Sequence, residues 1–228
     1  MKIVVIIPAF NEENAVGKVI KDLPKDKVDE VVVVNNNSTD KTAETAQEAG
    51  ATVLLETNMG YGNACLKGID YLKTQRSKPT DIVVFIDADY SDYPEQLLNL
   101  VAPIENGKAD LVIGSRALGN REKGSMTFPQ IFGNWLATSI MRLFFGAKFT
   151  DLGPFRAIRF ESLMALDMQD KTYGWTVEMQ VKAVKKQLSY CEIPVDYRNR
   201  IGFSKISGTV KGTVLAGYKI ITTIFKYF

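Results

Sequence analysis

Five short aliphatic runs punctuate the first 115 residues, "KIVVIIPA", "EVVVVNN", "ATVLLE", "DIVVFID" and "DLVIGS", and each ends in small or polar residues. Runs of this length without polar alternation suit strands covered on both faces. Between the first four lie "EENAVGKVIKDL", "STDKTAETAQEAG" and "YGNACLKGIDYLKTQ", whose apolar positions recur at helical spacing. Thr39 or Ser38 is placed to cap the second of these, and Gly50 to end it. The alternation gives βαβ units, so the fold class expected is α/β: a Rossmann-like, mostly parallel sheet flanked by helices. Ligands in such folds gather beyond the carboxyl ends of the strands. Pro8 to Glu12, Asn35 to Asp40 and Asp87 to Asp92 all fall there.

The second half is less regular. "FPQIFGNWLATSIMRLFFG" is a very apolar helix with Arg142 as its one charge, "GWTVEMQVKAVKKQ" is a further helix, "LSYCEIPVDYR" a strand, and "GTVKGTVLAGYKIITTIFKYF" a C-terminal amphipathic helix. No repeat or linker interrupts the 228 residues, which are expected to form a single domain with a C-terminal extension.

Composition narrows the chemistry. The chain has no histidine, which removes the commonest general base, the Ser-His triads and the usual histidine-bearing zinc sites. Two cysteines form no disulfide framework and suit a reducing compartment. The net charge of +2 conceals an asymmetry: from Lys182 onward there are nine Lys and Arg against Glu192 and Asp196 alone. Such a basic segment favours phosphates, on a substrate or on an anionic membrane. It lacks interleaved aromatic stacking motifs and the sheet half is net acidic, so no nucleic-acid role is expected. "MKIVVIIPAF" is read as a strand and not as a signal peptide, and no run reaches the roughly 18–20 apolar residues that span a bilayer.

The segment "VFIDADYSDYPE" puts Asp87, Asp89 and Asp92 directly behind a buried strand. Like charges this close repel unless a cation or a set of donors neutralises them. A divalent ion on Asp87 and Asp89 would serve a leaving diphosphate. The plainer account of an Asp-x-Asp at a strand end is that it caps the following helix, and for Asp92 that account is favoured.

"PAFNE" (Pro8 to Glu12), "NNNSTDKT" (Asn35 to Thr42), "NMGYGNA" (Asn58 to Ala64) and "DAD" follow strands one to four in that order. Together they resemble the family 2 glycosyltransferases, whose wording is close to P-x-Y-N-E, D-D-x-S-x-D-x-T, N-x-G-x-x-x-A and D-x-D. Further along, "GSR" (Gly114 to Arg116), "DLGPFRAI" (Asp151 to Ile158) and "RIGFSKISG" (Arg200 to Gly208) look like the polyprenyl-phosphate branch, typified by dolichol-phosphate mannose synthase. The resemblance runs through nearly the whole chain and rests on seven ordered signals.

What the resemblance implies is a GT-A fold, an inverting transfer of a hexose from a nucleotide-diphosphate sugar, and Mg2+ or Mn2+ held mainly by Asp89 with Asp87. Residues 1–115 would form the nucleotide-sugar half, 116–207 the acceptor half and 208–228 the amphipathic helix. Pro8, Ala9 and Glu12 would line the nucleoside, Gly60 would lie in the loop beside it, and Asp87 with Ala88 would face ribose and diphosphate. Asn35 and Asn36 stand where relatives carry an acidic pair. An amide donates and accepts at once and so matches the edge of uracil, which favours a UDP-sugar and leaves guanine open. Arg116, Arg200 and Lys205 would hold two anionic partners together, and an already ionised acceptor phosphate needs no strong base. Gln130 stands where relatives tend to be basic.

Two alternatives remain open on the sequence. Glu178 lies where a base would serve a sugar or small-molecule hydroxyl acceptor, and the two asparagines suit a nucleotide-sugar-binding protein without turnover. In the last helix Val210, Val214, Tyr218, Ile221, Phe225 and Phe228 share one face and Lys211, Lys219 and Lys226 another. That pattern fits a helix in the lipid headgroup region, or equally one packed on the domain's own core. With the apolar helix at Ile131 to Phe145 it points to peripheral association, at the cytoplasmic face of the cell membrane. A homo-oligomer is left open.

Overall fold

The structure, a computed structural model, describes residues 1–74, 80–202 and 210–228. Among the described residues seven strands form one sheet: β1 Ile3–Ala9, β2 Glu30–Asn35, β3 Thr52–Leu55, β4 Ile82–Phe85, β5 Leu111–Ser115, β6 Arg156–Arg159 and β7 Tyr190–Pro194. The helices of the described residues are α1 Val16–Asp22, α2 Thr42–Glu48, α3 Tyr61–Thr74, α4 Leu97–Glu105, α5 Phe128–Phe145, α6 Phe160–Leu166, α7 Trp175–Lys185 and α8 Val210–Lys226, with a 3-10 turn at Pro94–Gln96. The strand order is β3-β2-β1-β4-β6-β5-β7. β6 runs antiparallel to both β4 and β5, and every other pairing is parallel.

The unbroken aliphatic runs are explained by this layering. Val4 and Ile6 of β1 join one core with Val32, Val34, Val83 and Phe85, while Ile3, Val5 and Ile7 join a second core on the opposite face. Each fully buried Val or Ile contributes about 1.5–3 kcal/mol, so the sheet itself is the main hydrophobic element. After β3 the chain crosses to the other side of β1 to form β4. This reversal opens a crevice beyond the carboxyl ends of β1, β2 and β4, where the polar motifs sit.

Local boundaries differ from the sequence reading in instructive ways. Helix α2 begins at Thr42, after Ser38 and Thr39. Asp40 takes the capping part, its carboxylate accepting from the Thr42 amide at 3.0 Å, while Ser38 and Thr39 are drawn off to Asn11. Gly50, at φ +94°, does follow the helix end. Strand β6, RAIR, has an arginine at each end and so lacks the aliphatic run that marks the other strands of the sheet's centre.

Helix α5 buries only Ala137, Thr138 and Met141. Phe128, Phe132, Trp135 and Leu143 are exposed. Gln130 bonds back to Thr127 at the helix start, which accounts for an amide at that position. Helix α8 packs on α5 and α7. The face it buries is Thr223 and Ile224, with Ile220, Ile221 and Tyr227 against the core, whereas Val214, Tyr218, Phe225 and Phe228 of the expected stripe are exposed. Among the described residues no helix is long and apolar enough to cross a membrane.

Candidate active site

Asp87 and Asp89 leave the end of β4 into the crevice. Ser91 donates to Asp89 through its backbone amide and its hydroxyl, and the other Asp89 oxygen pairs with the guanidinium of Arg200. Asp87 Oδ1 is buried without a hydrogen-bond partner. Burial pushes its carboxyl above the usual carboxylate range, against the pull of Arg200, the neighbouring Tyr61 phenol and Arg116. Both oxygens of Asp92 are likewise buried and unpartnered. Burial, with the charge of Asp87, pushes Asp92 up to about 8. Uncompensated carboxylates are costly inside a protein, so this cluster is electrostatically incomplete as it stands.

A second strip of chain frames these acids. Residues 197–201 run along residues 89–92, with the Arg198 amide on Ser91 O at 2.9 Å and the Ile201 amide on Asp89 O at 3.0 Å. Arg198 then clamps the turn, donating to the carbonyls of Tyr90 and Asp92 and stacking on the rings of Tyr90 and Tyr93 at 3.4 and 4.2 Å. Tyr90 holds φ +63°, a conformation costly for a non-glycine residue. The pairing delivers Arg200 to Asp89. Arg198, a basic residue in "DYRNR", was not singled out from sequence.

Arg116 follows β5 and meets Asp151 in a two-pronged pair, Nε to Oδ2 at 2.8 Å and Nη2 to Oδ1 at 2.7 Å, over the Tyr197 ring. Burial opposes the guanidinium's charge, and Asp151 more than restores it. Fully buried Arg156 pins the preceding loop by donating to the Leu152 and Gly153 carbonyls and to Thr176 O. Both partners were legible only as letters inside "DLGPFRAI". Beside Asp151, between α5 and the loop after β5, opens a cavity of about 260 Å3 lined by Arg121, Met126, Trp135, Arg142 and Thr150 among others.

The loops after β1 to β4 bring Pro8, Ala9, Glu12, Asn35, Gly60, Asp87 and Ala88 to one edge of the sheet. Asn35 Oδ1 accepts from the Ser38 amide at 3.0 Å and shapes its own loop. Asn36 departs from expectation: its amide donates to Glu56 O at 2.9 Å and Asn58 O at 2.7 Å, while its oxygen accepts from the Gly60 amide at 2.8 Å. Both amide hydrogens are spent on the β3–α3 loop, so the side chain clips that loop to the end of β2. A carboxylate in its place would have no proton for either carbonyl, which explains the asparagine.

Glu178 also departs. It lies fully buried in α7 and accepts from the amides of Gln169 and Asp170, from Lys182 at 2.8 Å and from the Tyr227 hydroxyl. Both of its oxygens are thus engaged by the 169–170 turn, Lys182 and Tyr227. Lys205 lies outside the described residues. Among the described residues no three acidic or thiol side chains converge as a ready-made metal cage. The acids at β4 alone do not complete a coordination shell, so a cation there would need further ligands from water or a bound molecule.

Comparisons with known proteins agree with this layout. The profile of Glycosyl transferase family 2 matches residues 4–167. An undecaprenyl-phosphate mannosyltransferase of Micrococcus luteus is 30% identical over 225 residues, covering 93% of this chain and 90% of that protein. A UDP-N-acetylglucosamine–dolichyl-phosphate N-acetylglucosaminyltransferase of Methanococcus voltae is 27% identical over 96% of this chain and 92% of its own length. Among solved structures, glucosyl-3-phosphoglycerate synthase from Mycobacterium tuberculosis, crystallised with Mn2+, UDP and glucosyl-3-phosphoglycerate, superposes with a TM-score of 0.78 at 22% identity, over 99% of this chain and 79% of that one. The fold is thus the GT-A fold, and the chain belongs to glycosyltransferase family 2.

Proposed function

We propose that this chain transfers a hexose, with inversion, from a nucleotide-diphosphate sugar to a polyprenyl phosphate, working peripherally at the cytoplasmic face of a membrane. The observation that carries the reading is the incomplete acidic cluster at the topological switch: Asp87 Oδ1 is buried and unpartnered beside Asp89, whose free oxygen has drawn an arginine to it. Asp89 with Asp87 would hold Mg2+ or Mn2+. Such an ion, when bound, neutralises the charge developing on the departing diphosphate.

The remaining roles fall to the chain's own side chains. Pro8, Ala9, Glu12 and Gly60 line the nucleoside crevice, and Asn35 is left to meet the base. A uridine donor is supported by the UDP in the superposed crystal structure and by the donor named for the Methanococcus relative. Arg200 and Arg116, with Lys205 assigned from sequence, orient the acceptor's phosphate against the sugar. An ionised phosphate oxygen is already a nucleophile, so alignment and fixed positive charge replace a general base. That suits a chain without histidine whose Glu178 is fully engaged. The arginine-bearing cavity beside Asp151 opens among the exposed aromatics of α5, which offers an anionic head and an apolar tail adjacent surroundings.

The test uses labelled UDP- and GDP-hexoses with undecaprenyl phosphate and Mn2+. Label is expected to move into the organic phase, and Asp89→Ala to reduce that transfer by about a hundredfold or more. Retention of all label in the aqueous phase with wild-type protein would refute the acceptor, and undiminished transfer by Asp89→Ala would refute the metal seat.

A further inference from the structure

Helix α8 ends far along the chain from the nucleotide motifs, yet a continuous set of contacts joins them. Tyr227 donates its hydroxyl to Glu178, and Lys219 pairs with Asp170 at 2.8 Å. Glu178 in turn accepts from the backbone amides of Gln169 and Asp170, at 3.0 Å and 2.7 Å. Asp170 Oδ1 accepts from the amides of Thr172 and Gly174 at 2.8 and 3.1 Å. Gly174 fits because it has no side chain: a Cβ there would lie 2.4 Å from Thr223 Oγ1 of α8 and 2.6 Å from Asp170 Oδ2. The segment 169–174 is therefore shaped by two buried carboxylates whose cationic and hydroxyl partners come partly from α8.

The same segment is the wall against which the donor-side loop rests. The Asn63 amide donates to Lys171 O at 3.0 Å. A Cβ on Gly60 would come within 2.3 Å of Lys171 O, and one on Gly62 within 2.0 Å of Asp170 O. On its other side this loop is held by Asn36, and Tyr61 lies beside Asp87. Both glycines of "NMGYGNA" are thus required by the close approach of carbonyls whose position depends on Glu178 and Asp170.

We infer that α8 sets the shape of the donor site through Glu178 and Asp170, making Tyr227, Lys219 and Glu178 positioning residues for nucleotide binding. The helix that exposes Val214, Tyr218 and Phe225 is the same one whose inner face, with Tyr227 just beyond its end, braces the nucleotide loop. The nucleotide part of this inference rests on the donor reading above, and the loop part does not.

The experiment compares full-length wild type with Tyr227→Phe and Lys219→Met, which delete single polar contacts at the rim of the network. Amide hydrogen exchange across residues 58–63 is measured without ligand, and UDP affinity is measured by calorimetry with Mn2+. Each variant removes a hydrogen bond to a charged acceptor, so exchange at Gly60 and Asn63 is expected to rise about tenfold, with UDP affinity falling about threefold to tenfold. Unchanged exchange at residues 58–63 while α8 itself loses protection would overturn the coupling. If Tyr227→Phe unfolds, Lys219→Met at the exposed end of the chain of contacts carries the comparison. A wild-type protein that shows no UDP binding would sink the donor reading, and the exchange result would still decide the coupling.

Discussion

Replacing Asn36 by Asp restores the acidic wording usual in the family, and the structure says it will damage the protein. The side chain is 5% exposed and makes three hydrogen bonds, two of them donated to the carbonyls of Glu56 and Asn58. Asp is isosteric, so packing is preserved and only protons are removed. Two lost bonds at about 1 kcal/mol each, with a carboxylate facing two carbonyl oxygens, give a loss of about 3 kcal/mol near neutral pH. For a chain of this size that is a fall in melting temperature of about 6–12 °C. The new carboxyl would ionise less readily in the fold than in the unfolded chain, where its pKa is about 3.9. The destabilisation is therefore smallest below about pH 4, where the protonated acid still donates one bond, and grows as pH rises until the folded-state pKa is passed. Thermal melts of both proteins by circular dichroism at pH 4 and pH 7 read the difference. A variant within about 0.5 kcal/mol of wild type at pH 7, smaller than most single hydrogen bonds, would refute the clip.

Two further outcomes follow from the buried acids and the exposed helices. Asp92 is raised to about 8, so ionising it costs stability as pH climbs from its unfolded value through that point. Without divalent metal, Asp92→Asn is expected to gain on wild type by up to about 1.4 kcal/mol per pH unit between pH 5 and 7, one proton's worth, in urea titrations; a pH-independent difference would show that Asp92 is charged in the fold. Phe128→Ser combined with Leu143→Ser changes two side chains that are 77% and 78% exposed. It should leave the melting temperature in place while lowering flotation with anionic phospholipid vesicles by about tenfold or more, and full retention of flotation would remove α5 from the membrane reading.

The alternating aliphatic runs determine the sheet because burial on both faces leaves no tolerance for polar residues, and that signal is local. The same holds for the loops at the carboxyl ends of β1, β2 and β4, whose position follows from parallel topology. Strand β6 escaped because its sequence RAIR carries an arginine at each end and so shows no aliphatic run, and its antiparallel insertion between β4 and β5 is decided by where the chain returns after α5. The acids after β4 were legible as a cluster, but their unsatisfied oxygens exist only once residues 197–201 are laid alongside. Asn36 and Glu178 show the limit most clearly. Spacing placed both near the site, while Asn36 finds its partners 20 to 24 residues away on the β3–α3 loop and Glu178 draws Tyr227 from 49 residues away, just past α8. A polar side chain's function depends on which donors and acceptors surround it, and those are brought together only by the tertiary fold.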